Sequence, residues 1–167
     1  ARTIPDGKTI TGTLGATVKI SIARNATVTL KDATINGVHN TEHYYDWSWA
    51  GITCEGDATI ILEGENAVRG FCADYPGIYV PWGTTLTIQG DGSLDASSNG
   101  WGAGIGAGDG SEYYISCGNI VIEGGTIVAT GGKYAAAIGS GEYSDCGTIT
   151  IADSVTSVTA IKGDNAP

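Results

Sequence analysis

The chain of 167 residues has no methionine, one phenylalanine and only eight lysine or arginine residues. Residues that favour helices are sparse, whereas glycine, at 27 residues, threonine, isoleucine and valine are abundant. This composition is typical of short strands joined by tight turns. We therefore expect an all-β protein, and the length suits a single domain.

Positive charge is scarce, and the net charge is −10. Without a cluster of lysine or arginine, the chain would repel a phosphate backbone, so nucleic acid is not an expected partner. No run approaches the roughly 18 apolar residues of a membrane helix, so membrane insertion is not expected either. No basic-then-apolar leader opens the chain at Ala1, and we interpret the sequence as part of a longer precursor.

A repeat of about 30 residues sets the architecture. Each unit opens with a polar or small residue, an apolar one, a variable one and a second apolar one. A second apolar stretch follows after a short corner. A third stretch follows after a variable loop, and its three residues are a small residue, then glycine or alanine, then isoleucine. The opening segments are 27–30, 59–62, 85–88, 119–122 and 148–151; the second apolar positions are Ile35, Ala67 or Val68, Leu94, Ile127 and Val158; the third are Ile52, Ile78, Ile105 and Ile138.

These units predict a single-stranded, right-handed parallel β-helix, a solenoid of about five coils with three short strands per coil. Stacking of the coils would place five apolar residues above one another, namely Val28, Ile60, Leu86, Ile120 and Ile149. An antiparallel sandwich is the alternative, but it needs a hairpin turn about every 8–12 residues. We predict an N-terminal cap or incomplete coil over 1–25, coils over 26–162, and a tail over 163–167 toward a missing following domain.

The four cysteines include no C-x-x-C pair and no zinc-like cluster with histidine. Cys117 and Cys146 each precede an inward isoleucine by three residues, which predicts equivalent positions on adjacent coils and a disulfide between them. Cys54 and Cys72 would then form a second disulfide by elimination. Buried free thiols are the alternative.

The aromatic residues all lie outside the first and second strands of each unit, in the variable loops and around the third strand. Exposed tryptophan and tyrosine are preferred anchors of protein interfaces and of sugar-binding surfaces. The alternative is that the rings cover the flank of the β-helix as a satellite core. The predicted ligand-binding residues are Tyr44, Tyr45, Trp47, Trp49, Tyr75, Trp82, Trp101, Tyr113, Tyr114, Tyr134 and Tyr143.

Evidence for a metal or for catalysis is thin. Asp91, Asp109 and Glu112 lie in glycine-rich turns where Ca²⁺ could bind, although Asp-Gly is first a turn sequence; no other cofactor is expected. His39 and His43 lack a third ligand. The scattered basic residues do not favour a polysaccharide lyase, and no nucleophile motif is present, so we expect no catalytic residues. Regular outward threonines also suggest an ice-binding surface, but Ile61 and Val121 interrupt them.

Several phrases resemble the repeats of large surface proteins of gut and other anaerobic bacteria, described as carbohydrate-binding-domain-containing or adhesin-like. They are ITCEGDATIILEGENAV (52–68), GIYVPWGTTLTIQGDGSLDA (77–96), GAGIGAG (102–108), GNIVIEGGTIVATGG (118–132) and AAAIGSG (135–141), and together they cover roughly residues 26 to 152. The resemblance implies a secreted or surface-anchored multidomain protein that contacts glycans or host proteins.

The function we expect is therefore a non-catalytic extracellular adhesin module. Its partner would be a glycan or a host glycoprotein, or alternatively another host protein such as an immunoglobulin. The rival is a structural spacer with no ligand of its own. We expect a monomer within a larger chain.

Overall fold

The computed structural model describes residues 2–15, 18–36, 49–71, 74–110 and 116–167. These ranges contain sixteen strands and no helix, and therefore no helix that could cross a membrane. The strands are β1 (Arg2–Ile4), β2 (Lys8–Leu14), β3 (Ile20–Ile22), β4 (Ala26–Ile35), β5 (Ile52–Cys54), β6 (Ala58–Glu63), β7 (Glu65–Arg69), β8 (Ile78–Tyr79), β9 (Thr85–Gly90), β10 (Ser93–Ser97), β11 (Ile105–Gly106), β12 (Asn119–Ile122), β13 (Thr126–Thr130), β14 (Ile138–Gly139), β15 (Ile149–Ile151) and β16 (Ser157–Ile161).

The strands form two sheets in which all the strand pairs are parallel. One sheet has six strands in the order β1-β3-β5-β8-β11-β14. The other sheet has ten strands. Nine of them follow the order β15-β12-β9-β6-β4-β7-β10-β13-β16, and the tenth, β2, pairs with β4. This confirms a parallel all-β solenoid. The structure supports about four turns where the sequence predicted about five, and β4 is one continuous strand where two were expected. Right-handed winding stays a prediction.

The four isoleucines predicted to mark the third strands pair with one another as a ladder. Ile52 pairs with Ile78, Ile78 with Ile105 and Ile105 with Ile138. The ladder begins earlier than predicted, because Ile20 pairs with Ile52. The strands of residues 1–25 thus lie in register with those of the following coils.

The predicted ladder of the first strands is wrong at one step. Val28 pairs with Ile60, and Leu86 with Ile120, but Ile60 pairs with Ile88 and Leu86 with Ala58. The register between β6 and β9 is therefore displaced by two residues from the predicted one. Side chains alternate between the faces of a strand, so a two-residue displacement keeps the same residues facing the core. All these apolar residues are accordingly buried.

A buried asparagine replaces an apolar residue in the second-strand ladder. Asn66 pairs with Leu94, which pairs with Ile127. The Asn66 side chain accepts a hydrogen bond from the Ala33 N–H at 3.0 Å and donates to the carbonyl oxygens of Glu63 and Ser93 at 3.0 and 3.1 Å. These bonds satisfy the amide inside the core, where an unpaired polar group would be costly.

The two ends of the solenoid differ in chemistry. At the N-terminal end, the exposed residues Arg2 and Lys8 pair with the core residues Ile20 and Val28. At the C-terminal end the corresponding positions are apolar, and Ile149 and Ile151 are 43% and 50% exposed. The ladder positions that are charged in the first coil are thus apolar in the last one.

Candidate functional site

The predicted ligand-binding aromatics fall into three groups in the structure. Tyr44, Tyr45, Trp47, Tyr113 and Tyr114 lie outside the described residues. Among the others, Trp49, Tyr75, Trp101 and Tyr134 lie on the segments that lead into the third strands, and Trp82 and Tyr143 follow those strands. The aromatic side chains therefore border the six-stranded sheet on both sides.

Trp49 takes part in packing. Its ring centroid lies 5.0 Å from that of Phe71, at an interplanar angle of 45°. Phe71 is 3% exposed, and the backbone of the two residues is joined by a hydrogen bond from the Phe71 N–H to the Trp49 carbonyl oxygen at 3.0 Å. This pair supports the satellite-core interpretation for Trp49.

Tyr75 and Tyr79 are partly buried along the same sheet. Together with Pro76 and Gly108 they line a small cavity of about 20 Å³. Burial raises the pKa of the Tyr79 hydroxyl. These rings also contribute mainly to packing.

Trp101, Tyr134 and Lys133 form a second aromatic cluster. The Trp101 and Tyr134 ring centroids are 6.4 Å apart in an edge-to-face arrangement, and the Lys133 Nζ lies 5.2 Å from the Tyr134 centroid. Trp101 is 40% exposed, so the cluster is reachable from solvent. An edge-to-face pair with a cation over one ring is a rigid contact surface.

Trp82 and Tyr143 are the most exposed of the described aromatics, at 65% and 73%. The turn that carries Trp82 is closed by hydrogen bonds from the Thr84 N–H and hydroxyl to the Pro81 carbonyl oxygen, at 3.1 and 2.7 Å. Tyr143 has a positive φ of 56°. A large exposed ring on a constrained turn loses little conformational entropy when it binds a partner.

A groove of about 790 Å³ lies at the open C-terminal end, and Tyr134 and Tyr143 line it. The volume is within the range of small-molecule sites. The groove follows β14, and its other wall is the end of β16 with the C-terminal residues. The lining residues are Tyr134, Ala136, Ala137, Ile138, Ser140, Gly141, Glu142, Tyr143, Ser144, Asp145, Ala160, Lys162, Asn165, Ala166 and Pro167.

The groove is acidic. Glu142 and Asp145 contribute two carboxylates against one ammonium group, and the Lys162 Nζ donates a hydrogen bond to the Ala166 carbonyl oxygen at 2.6 Å. A hydrogen bond with Glu142 and the charge of Glu142 raise the pKa of the Tyr143 hydroxyl. Neutral or cationic groups therefore suit this groove better than anionic ones.

The sequence did not predict the groove as a unit. Tyr134 and Tyr143 were predicted as ligand-binding residues, and the structure brings them together. Lys162 and Asn165 were missed, because their proximity depends on where the last coil ends. Glu142 and Asp145 were visible in the sequence only as acidic residues near glycines.

Of the three calcium candidates, the structure describes Asp91 and Asp109. Asp91 is exposed at the corner between β9 and β10, whereas Asp109 is buried after β11, where its N–H donates to the Asp74 carbonyl oxygen at 2.9 Å. Glu112 lies outside the described residues. Within the ranges that the structure describes, no three histidine, cysteine, aspartate or glutamate side chains are grouped as metal ligands.

The equivalence of Cys117 and Cys146 is confirmed, since they form a parallel bridge between adjacent coils. Both are free thiols in the structure, and so is buried Cys54; Cys72 lies outside the described residues. The closeness of the two thiols raises the pKa of Cys117 and lowers that of Cys146. Burial raises the pKa of Cys54 to about 12. Both predicted disulfides stay predictions.

The inference of function depends on the geometry of the groove and of the aromatic clusters, because comparison with known proteins finds no match. No protein-family model, no curated protein and no solved structure matches this chain.

Proposed function

We propose that this chain is a non-catalytic binding module of an extracellular bacterial surface protein. Its ligand, a glycan or a host glycoprotein, contacts the aromatic side chains that border the six-stranded sheet. The observation that carries the proposal is the groove of about 790 Å³ in which Tyr134 and Tyr143 lie among carboxylate, amide and ammonium groups. Aromatic faces with a few convergent polar groups are the usual composition of a ligand site.

Two surfaces support this function. The groove contains Tyr143, and the neighbouring flank carries Trp101 packed on Tyr134, so a ligand larger than the groove contacts both. The Trp101 ring is held by its packing on Tyr134, which reduces the entropy that it loses on binding. The acidic groove favours neutral glycans, or proteins with basic patches, over sialylated or sulfated glycans.

The test is binding of the chain to a glycan array and to purified mucin. We expect binding that Tyr143→Ala or Trp101→Ala weakens at least about tenfold, the effect of losing one anchoring ring. Asp95→Ala is the matched control, because Asp95 is exposed on β10, outside the groove and the Trp101 cluster. Binding that neither aromatic substitution changes would contradict the proposal.

A structural spacer is the second candidate. The isoleucine ladder from Ile20 to Ile138 gives the module a continuous core along its length, as a rigid stalk requires. A spacer predicts no binding to any glycan or glycoprotein in the same experiment.

A further inference from the structure

Two asparagine side chains from different coils hold the same carbonyl oxygen. Asn36 and Asn99 each donate a hydrogen bond from Nδ2 to the Gly70 carbonyl oxygen, at 3.2 Å in both cases. Asn36 follows β4 and Asn99 lies beyond the end of β10, and β7, the strand that precedes Gly70, pairs with both of these strands. The coil of Gly70 is therefore bonded at this corner to the coil before it and to the coil after it.

Both asparagines precede a glycine, and no other asparagine of the sequence does. A following glycine favours attack of the backbone nitrogen on the asparagine side chain, because glycine has no Cβ to hinder the approach. The two sites differ in exposure, since Asn36 is 2% exposed whereas Asn99 is exposed to solvent. Exposure favours the reaction because its intermediate carries charge, which is costly to bury.

The exposure of Asn99 belongs to the flank of the solenoid. Its strand, β10, lies between β7 and β13, so the coils on both sides are in place. The nitrogen that would attack is weakly held, because the Gly100 N–H donates to the Ser98 hydroxyl oxygen at 3.3 Å, longer than the usual length of about 2.9–3.0 Å. The side chain and the backbone nitrogen of this Asn-Gly pair are thus both available for reaction.

We infer that Asn99 is a site of spontaneous deamidation, and that its conversion to isoaspartate displaces Trp101. The Gly100 nitrogen gives its proton to hydroxide and attacks the Asn99 Cγ; the Cγ–Nδ2 bond breaks, and ammonia leaves. Water then opens the succinimide ring at either carbonyl, which gives aspartate or isoaspartate at position 99. Both products carry a carboxylate, which cannot donate to the Gly70 carbonyl oxygen as the amide does.

Isoaspartate also lengthens the main chain by one carbon atom directly before Gly100. The backbone is tightly packed there, because the Lys133 N–H donates to the Gly100 carbonyl oxygen at 2.8 Å and Gly132 lies too close to that oxygen to leave room for a Cβ. Trp101 is the next residue, and its ring centroid lies 6.4 Å from that of Tyr134. The added atom therefore moves Trp101 relative to the Tyr134 ring.

The experiment holds the purified chain at neutral pH for several weeks and follows it by peptide mass mapping. We expect the mass gain of deamidation to be at least about tenfold faster at Asn99 than at Asn36, which is buried, or at Asn25, which is exposed but precedes alanine. The rate at Asn99 should rise in proportion to the hydroxide concentration. Methylation by an isoaspartate methyltransferase identifies the isoaspartate product.

Two substitutions separate this site from general ageing of the chain. Asn99→Gln would require a six-membered ring, which forms far more slowly, so it should suppress the mass gain at position 99. Asn25→Gln, at another exposed turn, should leave the gain at Asn99 unchanged. A mass gain at Asn36 or Asn25 as fast as at Asn99, or no gain at Asn99, would overturn the inference.

The displacement of Trp101 has its own measurement. The isoaspartate form, separated by ion exchange, should shift the NMR signals of the Tyr134 ring more than Asn99→Asp does, because that variant has the carboxylate without the added carbon atom. Unchanged Tyr134 signals in the isoaspartate form would overturn the displacement.

Any loss of glycan binding by the isoaspartate form rests on the proposed function. If the fresh chain binds no glycan and no mucin, the proposed function fails, and the mass and NMR measurements still decide the inference about Asn99.

Discussion

The thiols of Cys117 and Cys146, on two adjacent coils, both donate a hydrogen bond to the Gly118 carbonyl oxygen, at 3.2 and 3.7 Å. Cys117 is buried and Cys146 is partly exposed. The adjacent Cys117 thiol lowers the pKa of Cys146, and the thiolate is the reactive form of cysteine.

We therefore expect Cys146 to be alkylated before Cys54 and Cys117, with a rate that begins to rise at a lower pH than for an ordinary thiol. Peptide mass mapping after timed iodoacetamide treatment between about pH 6 and 9 measures the order, because thiol pKa values centre near 8.5. Cys117→Ala removes the adjacent thiol that lowers the pKa of Cys146, and should slow the alkylation of Cys146 at neutral pH. Alkylation of Cys54 as fast as Cys146 would contradict this account.

Asn66 is expected to stabilise the fold through its three hydrogen bonds. Asn66→Ala leaves the Ala33 N–H and the Glu63 and Ser93 carbonyl oxygens without this partner, at a cost of about 2–3 kcal/mol in the free energy of unfolding. Asp95→Ala, at an exposed position on the pairing strand, should change it by less than about 0.5 kcal/mol. Urea unfolding measures both, and similar values would show that the amide bonds are not formed.

Because the C-terminal face of the solenoid is exposed, we expect alanine substitutions of two isoleucines to lower the free energy of unfolding by unequal amounts. Ile105→Ala in the closed part of the solenoid should cost about 2–5 kcal/mol of unfolding free energy. Ile151→Ala should cost less than half as much, since Ile151 is 50% exposed. The comparison is made by chemical denaturation of the two variants. Equal losses would mean that Ile151 is covered in solution.

We expect alanine substitutions to divide the aromatic residues into two groups. Rings that pack in the fold contribute to its stability, whereas rings exposed for contact with a partner do not. Trp49→Ala removes the ring packed at a tilt against buried Phe71 and should lower the unfolding free energy by about 1–3 kcal/mol, whereas Trp82→Ala should change it by less than about 0.5 kcal/mol. Thermal unfolding by circular dichroism distinguishes them. A larger loss for Trp82→Ala than for Trp49→Ala would reverse the assignment.

The sequence predicted the third strands at Ile52, Ile78, Ile105 and Ile138, because each of these isoleucines directly follows a glycine or an alanine at a recurring place in the repeat. It did not predict that Ile60 pairs with Ile88, because a displacement of two residues leaves every inward residue inward. That register depends on how the corners and loops fit together, which the alternation of apolar residues does not encode.

The candidate site was also predicted only in part, because the sequence pattern does not separate packed rings from exposed ones. Aromatic residues in loops indicate contact surfaces, but the same pattern describes Trp49, which packs, and Tyr143, which is exposed. The groove depends on the end of the winding, where β14 has no further strand, and on the return of residues 163–167 along the loop before β14. The Gly163 and Asn165 N–H groups donate to the Ala135 and Lys133 carbonyl oxygens at 3.0 and 2.8 Å. No local motif marks such a long-range contact.

Amide hydrogen exchange along the isoleucine ladder tests the central claim, a solenoid closed along its length and open beside β14. The Ile52, Ile78 and Ile105 N–H groups are bonded to the following coil, so they should be strongly protected, while the Ile138 N–H should exchange at least about a hundredfold faster. Equal protection at Ile105 and Ile138 would show that the edge is already covered, and would contradict the account of the groove.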